Sequence, residues 1–388
     1  MKEFQTLRLK DLLSFCSGDT LSSEMLVDGG EFPVYGGNGV RGKYDRFNRD
    51  GIFILVGRVG ARCGNIHKVS GKFWATEHAL IGTTKRYFEI RWLYYVLINM
   101  DLGQYSIASA QPVLSISKIN RLELNLPPIE EQRAIADYLD EKTVEIDKQI
   151  SLLERQQKAY EKLKRSLISQ VVTRGLNKDV PLKDSGIDWI GEIPANWEIK
   201  RIKAIFTECK ELSTTGTEDL LSVSEYYGVA RRLDVKDDDE YDTRADSLEG
   251  YKICKKNDLV INIMLAWKRG LGFSDFDGIV SPAYAVYRGK GIIPHYYHYL
   301  LRTDRYIAEF KRNSKGIIDS RLRLYNDRFF AIKTIIPPIK EQQAIADCLD
   351  VKTAEIDRNI LLISKKIESY KRLKKSLIDE VVTGKRKV

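Results

Sequence analysis

Apolar residues in the middle of the chain recur at steps of three, four or their sum: Ile146, Ile150, Leu153, Tyr160, Leu167 and Val171. The same pattern returns as Ile356, Ile360, Ile363, Ile367, Tyr370, Leu377 and Val381. This period predicts two helices, each with a narrow coiled-coil seam. A proline precedes each helix, glutamates occupy the first turn, where they complement the helix dipole, and no proline or glycine interrupts 131–174 or 341–383. At ~1.5 Å per residue each helix would run roughly 65 Å. On an isolated helix so narrow a stripe would face water, so two copies of one seam are expected to pack on each other, with self-pairing in a dimer the weaker alternative. Lys158, Lys162, Lys164, Lys365, Lys371 and Lys374 read as solvated flanks of these helices, with a possible role near phosphates.

The helices are copies. Pro127-Pro128-Ile129-Glu130-Glu131-Gln132-Arg133-Ala134-Ile135-Ala136-Asp137 returns as Pro337-Pro338-Ile339-Lys340-Glu341-Gln342-Gln343-Ala344-Ile345-Ala346-Asp347, an offset of 210 that holds to Val381-Val382-Thr383. By direct count about 27 of the 47 aligned positions are identical. A period this long is a tandem of whole units. The segments before the helices diverge, although Phe4-Gln5-Thr6-Leu7-Arg8-Leu9-Lys10 still resembles Trp197-Glu198-Ile199-Lys200-Arg201-Ile202-Lys203. Buried strands are expected at 52–56 and 259–263, and helices at 90–100 and 295–301. The expected order is a mixed α/β domain over 1–125, a long helix over 126–176, a linker over 177–191, a second domain over 192–336, a second long helix over 337–384, and a basic tail over 385–388. The fold class is α+β with a pseudo-two-fold internal repeat.

A chain of 388 residues with 43% hydrophobic content can bury a core in each part. No apolar run approaches the ~20 residues that span a bilayer, and Met1-Lys2-Glu3-Phe4 has no secretory character, so a cytoplasmic protein is expected. The five cysteines, Cys16, Cys63, Cys209, Cys254 and Cys348, are scattered and fit reduced thiols better than a disulfide frame or a zinc site. A net charge of +9 favours a polyanionic partner, with nucleic acid the usual candidate.

Catalytic motifs are scarce. Gly37-Asn38-Gly39-Val40-Arg41-Gly42-Lys43 matches most of a phosphate loop, but Tyr44 stands where a magnesium-binding hydroxyl is needed, and Asn38-Gly39 fits a tight hairpin better. His295 and His298 lie among Tyr296, Tyr297 and Tyr299, which favours a packed helix over a metal site. Asp237-Asp238-Asp239-Glu240 lacks the glycine of a calcium loop and reads as a solvated loop. The chain has no Asn-Pro-Pro-aromatic adenine-methylation motif, no glycine-rich cofactor loop and no convincing nuclease set. Recognition is favoured over chemistry. The candidate DNA-binding residues are Asn38, Arg41, Lys43, Arg58, Arg62 and Gln111 in the first half, and Arg231, Arg232, Lys268, Arg269, Arg321 and Arg323 in the second. Arginine and glutamine can read base edges by paired hydrogen bonds, while lysine serves mostly phosphates.

The whole chain resembles the specificity subunit of type I restriction–modification systems. The twin Pro-Pro-Ile-x-Glu-Gln-x-Ala-Ile-Ala-Asp-x-Leu-Asp segments carry the resemblance. Tyr35-Gly36-Gly37-Asn38-Gly39, Gly57-Arg58-Val59-Gly60, Ala110-Gln111-Pro112 and Ile190-Gly191-Glu192-Ile193-Pro194-Ala195-Asn196-Trp197 add to it. The second half lacks a clear match to the Gly57 or Gln111 elements, and 264–270 and 321–324 occupy those places. The resemblance implies two target-recognition domains, each reading half of a split double-stranded DNA target. It also implies helices that pair as an antiparallel coiled coil and set the spacer. The subunit itself would be non-catalytic and without cofactor. Modification subunits would use S-adenosylmethionine for adenine methylation, and a restriction subunit would use ATP and magnesium for cleavage. Two other classes compete with it: a coiled-coil scaffold with two ligand-binding heads, and an autonomous DNA methyltransferase or nuclease with unfamiliar motifs.

Overall fold

A computed structural model describes residues 5–106, 112–234 and 247–388. The chain divides into two compact units, Met1–Arg155 with Ser364–Val388, and Gln156–Ile363. The long helices run over Ile129–Arg174 and Ile339–Val382, so each contributes residues to both units.

In the first unit, a six-stranded sheet has the order Leu13–Ser17, Ala79–Thr84, Arg49–Gly57, Ile66–Ala75, Phe32–Gly36, Gly39–Tyr44. All neighbours are antiparallel except Phe32–Gly36 with Ile66–Ala75. Alternate residues of a strand face opposite sides. Ile54, Val56 and Leu80 therefore enter a core with Trp92, Leu93 and Val96 of the helix Ile90–Asn99, while Leu55, Val69, Phe73 and Ile81 form a smaller cluster. The larger core also takes Ile135, Ala136, Leu139 and Ile146 from one long helix and Leu377, Ile378 and Val381 from the other. Each large aliphatic side chain buried this way contributes about 1.5–3 kcal/mol.

In the second unit, a four-stranded sheet runs Phe206–Glu208, Tyr284–Gly289, Leu259–Asn262, Leu271–Phe273. Two short antiparallel pairs flank it, Leu221–Ser224 with Gly228–Arg231 and Lys252–Cys254 with Gly278–Val280. Its core joins Trp197, Tyr296, Tyr297, Tyr306, Phe310 and Phe329 to Val171 and Val172 of one long helix and Ile345, Ala346 and Leu349 of the other. The helix Pro294–Leu301 lies where one was expected, while the expected strand at 259–263 stops at Asn262.

The repeat extends to atomic detail. In the first unit the buried Gln132 accepts from the backbone N–H of Glu89 (2.9 Å) and donates to Pro127 O (2.7 Å). In the second, Gln342 accepts from Ile293 N–H (3.0 Å) and donates to Pro337 O (2.8 Å). Tyr95 Oη donates to Asp140 (2.7 Å) and meets Thr143 (3.0 Å); Tyr299 does the same with Asp350 (2.7 Å) and Thr353 (3.2 Å). Each unit also has a short antiparallel pair before its long helix, Gln5–Arg8 with Glu123–Leu126 and Glu198–Arg201 with Lys333–Ile336.

Three expectations change. The segment 177–191 connects, but it is folded: Leu182–Asp184 pairs with Glu192–Pro194, Ile190 is buried, and Ile187 and Trp189 pack on the core. Lys164 and Lys374 are not free flanks, because each ion-pairs across the seam, with Asp357 and Asp147 respectively. The hairpin turn is Gly37-Asn38, not Asn38-Gly39, since Gly36 and Gly39 are the last paired residues. Gln111 and Asp237-Asp238-Asp239-Glu240 lie outside the described residues. All five cysteines are free thiols, and no helix among the described residues is long and apolar enough to cross a membrane.

Candidate nucleic-acid interface

In the first unit the turn Gly37-Asn38 meets the loop after Arg49–Gly57. A Cβ on Gly37 would fall 2.9 Å from His78 O, and one on Gly57 would fall 2.3 Å from Gly37 O, so only glycine allows this approach. Asn38 accepts from Asn65 Nδ2 (3.0 Å). Arg58 sits on the same rim, where its N–H donates to His78 O (2.9 Å), its carbonyl accepts from Leu114 N–H (2.8 Å), and its guanidinium reaches Ser17 Oγ (3.1 Å). Arg62 closes the loop, its carbonyl accepting from Asn65 N–H (3.2 Å), with its side chain exposed. Gly60 N–H donates to Pro112 O (3.0 Å), which ties the chain next to Gln111 to this rim.

Asn38, Arg58 and Arg62 are therefore brought together. Arg41 and Lys43 stand further along the hairpin, exposed, with Arg41 held by Ser23 Oγ (2.8 Å). Ser17, Asn65 and His78 share the rim and were not singled out from sequence. They belong to separate strands and turns, and only sheet registry reveals their proximity.

In the second unit the turn between Leu259–Asn262 and Leu271–Phe273 carries Trp267, Lys268 and Arg269. Lys268 and Lys311 place their ammonium groups 5.0 and 4.9 Å from the Trp267 ring. Leu324 N–H donates to Ile263 O (2.9 Å), which sets the loop bearing Arg321 and Arg323 beside this turn. Lys268, Arg321 and Arg323 thus share one region, and Lys311 and Trp267 are the members that sequence reasoning missed.

Arg269 differs from its neighbours. Its φ is +65°, its Nε donates to Arg302 O (3.2 Å), and its guanidinium is ion-paired with Asp304. Arg302 in turn donates to the carbonyls of Arg269 (2.9 Å), Leu271 (2.5 Å), Glu225 (2.7 Å) and Tyr226 (3.2 Å). Burial, with Arg269 close by, pushes the Arg302 guanidinium down to about 10. These two arginines organise the turns rather than extend from them. Arg231 lies on the other hairpin, ion-paired with Asp219 (3.1 Å) and stacked 4.6 Å over Phe276, and Arg232 follows it with its N–H on Leu220 O (3.0 Å).

Each unit therefore presents cationic side chains, joined in the first by the amides of Asn38 and Asn65, on loops anchored by a core. That chemistry suits phosphates and base edges. The family model described as type I restriction modification DNA specificity domain matches residues 1–159.

The chain is similar to type I specificity subunits over more than this domain. It is 38% identical over 136 residues to the EcoprrI specificity subunit of Escherichia coli, an alignment covering 34% of each chain. It is 24% identical to a putative specificity subunit of Haemophilus influenzae, covering 83% of this chain and 80% of that one. The alignment with the Escherichia coli relative thus spans about a third of that protein's length. A solved chain from work on complex assembly and conformational transition of the type I R-M system matches 98% of both chains with a TM-score of 0.67 at 12% identity, a likeness of fold.

Proposed function

We propose that this chain is the DNA-reading subunit of a type I restriction–modification complex, each unit recognising one half of a split double-stranded target. One observation carries the reading. The same glutamine and tyrosine clamps mount two different basic loop surfaces on copies of one helix. A repeated frame with divergent readers suits a target of two unlike halves. In this reading the chain is non-catalytic and works in the cytoplasm. Modification subunits dock on the repeated helices and bring S-adenosylmethionine to adenines, flipped out of the duplex for reaction. A restriction subunit adds ATP- and magnesium-dependent cleavage. The antiparallel helices set the unread spacer.

The test is selection of bound duplexes from a random pool, followed by exchange of residues 1–125 for those of a relative. A split motif of which only one half changes is expected. No enrichment, or a change in both halves, would overturn the reading. Inserting a heptad at matching points within 152–160 and 362–370 keeps the seam in phase. It should lengthen the spacer by about three base pairs, since seven residues add roughly 10 Å.

A further inference from the structure

The loop between the helix Asp304–Asn313 and the helix Asn326–Ala331 exposes its most apolar residues. Ile317 is 98% exposed and Ile318 53%, while Leu322 and Leu324 of the same loop are 8% and 1% exposed. The loop is firmly rooted. Lys315 and Arg323 exchange backbone hydrogen bonds of 3.0 and 2.9 Å, Leu324 is tied to Ile263, and Lys311 Nζ holds Asp319 at 2.9 Å. Gly316 lets the loop close, because a Cβ there would lie 2.6 Å from Arg321 O. Two leucines thus anchor the loop inside while two isoleucines stand in water at its tip.

The surroundings of the tip say what would cover it. Lys315, Arg321 and Arg323 lie within the same ten residues, and the side chains of Arg321 and Arg323 meet no carboxylate among the described residues. Lys311 and Lys268 flank it around Trp267, and Asp319 is the one acid of the loop, already paired with Lys311. An apolar protein surface would leave these cations unmatched, whereas a duplex offers phosphates on both sides of a groove and stacked bases between them. Aliphatic wedges flanked by cations enter grooves and part base steps.

Building on the DNA-reading role, we infer that Ile317 and Ile318 form an apolar wedge that enters the bound duplex and unstacks one base step of its half-site. Lys315, Arg321 and Arg323 hold the phosphates on either side. The wedge adds discrimination by deformability, since pyrimidine–purine steps part most easily.

The experiment uses the full chain and a duplex it has selected from a random pool, with 2-aminopurine placed at successive positions of each half-site. Wild type should raise the emission at one step in one half-site. The variant carrying Ile317→Ser and Ile318→Ser should lose that rise and bind roughly five- to tenfold more weakly, with the slope of log affinity against log salt unchanged. Arg321→Ala with Arg323→Ala should lower that slope by about 2 and keep the rise at low salt. Both isoleucines are exposed, so an unchanged urea midpoint for the serine variant confirms that its fold is intact. Equal emission and affinity in wild type and serine variant would overturn the wedge while leaving DNA reading intact, as would a change in salt slope. A wild-type chain that selects no duplex would instead overturn the parent reading and the wedge with it.

Discussion

Lys164 Nζ lies 2.6 Å from Asp357 Oδ2, and Lys374 Nζ lies 2.6 Å from Asp147 Oδ2. Lys374 is the repeat counterpart of Lys164, and Asp357 of Asp147, both at the offset of 210. The repeated sequence thus makes this contact twice, once within each unit. The seam is therefore specified by charge as well as by its apolar stripe.

Reversing one charge tests this. The carboxylates are more than half exposed, so Lys164→Glu should cost no more than about 1 kcal/mol in urea unfolding. Adding Asp357→Lys should restore most of the loss, and Lys374→Glu with Asp147→Lys should behave alike. A reversal without cost in either unit would show that the pair contributes nothing there.

The glutamine clamps should matter more. Gln342 is 1% exposed and satisfies both Ile293 N–H and Pro337 O, so Gln342→Leu leaves two backbone groups without partners. A loss of about 2–4 kcal/mol is expected in urea unfolding. Gln342→Glu keeps the acceptor for Ile293 but loses the donor to Pro337 O and buries a charge, so it should cost at least as much at neutral pH. Gln132→Leu should act equivalently, and a neutral result in both would remove the clamps from the account of the fold.

The second unit should lose stability in mild acid. His298 packs against Gly228, and burial, with Arg302 and His295 nearby, pushes its imidazole down to about 4, Asp350 opposing the shift. The unfolded value is about 6.5, so the folded state binds the proton less readily. The contribution is fully present above about pH 6.5 and is lost as pH falls toward 4, on the order of 2–3 kcal/mol. His298→Gln should flatten the unfolding midpoint over this window. A variant with the wild-type pH profile would place the acid sensitivity elsewhere.

The arginines should separate by role in DNA binding. Arg62 is exposed at the rim, and Arg62→Ala should lower the salt slope by about 1 if it meets a phosphate. Arg58, steadied by Ser17, should alter preference in one half-site by about 1–3 kcal/mol when replaced by alanine. Arg269→Ala should leave the salt slope unchanged and lower the unfolding midpoint, because its guanidinium serves Arg302 and Asp304. A fall in slope for Arg269→Ala would reassign it to DNA.

The sequence by itself determined the repeat, the two helices and their seam. These are local or periodic properties: Ile146, Leu153, Ile356 and Ile363 recur on one face whatever they touch, and an uninterrupted run of good helix formers needs no tertiary help to be legible. The hairpin at Gly37-Asn38 and the helix at Pro294–Leu301 were legible for the same reason, within a residue. Tertiary structure alone decided which cations are available. Arg269 and Arg321 look alike in sequence, yet Arg302 and Asp304, more than thirty residues from Arg269, tie one of them inward. Lys164 and Lys374 looked like solvated flanks until the seam set each opposite an aspartate almost two hundred residues away or more. Ser17, Asn65 and His78 join the rim only through sheet registry. Pairing between distant segments depends on how strands and helices pack, and a side chain's charge records nothing of what will stand opposite it.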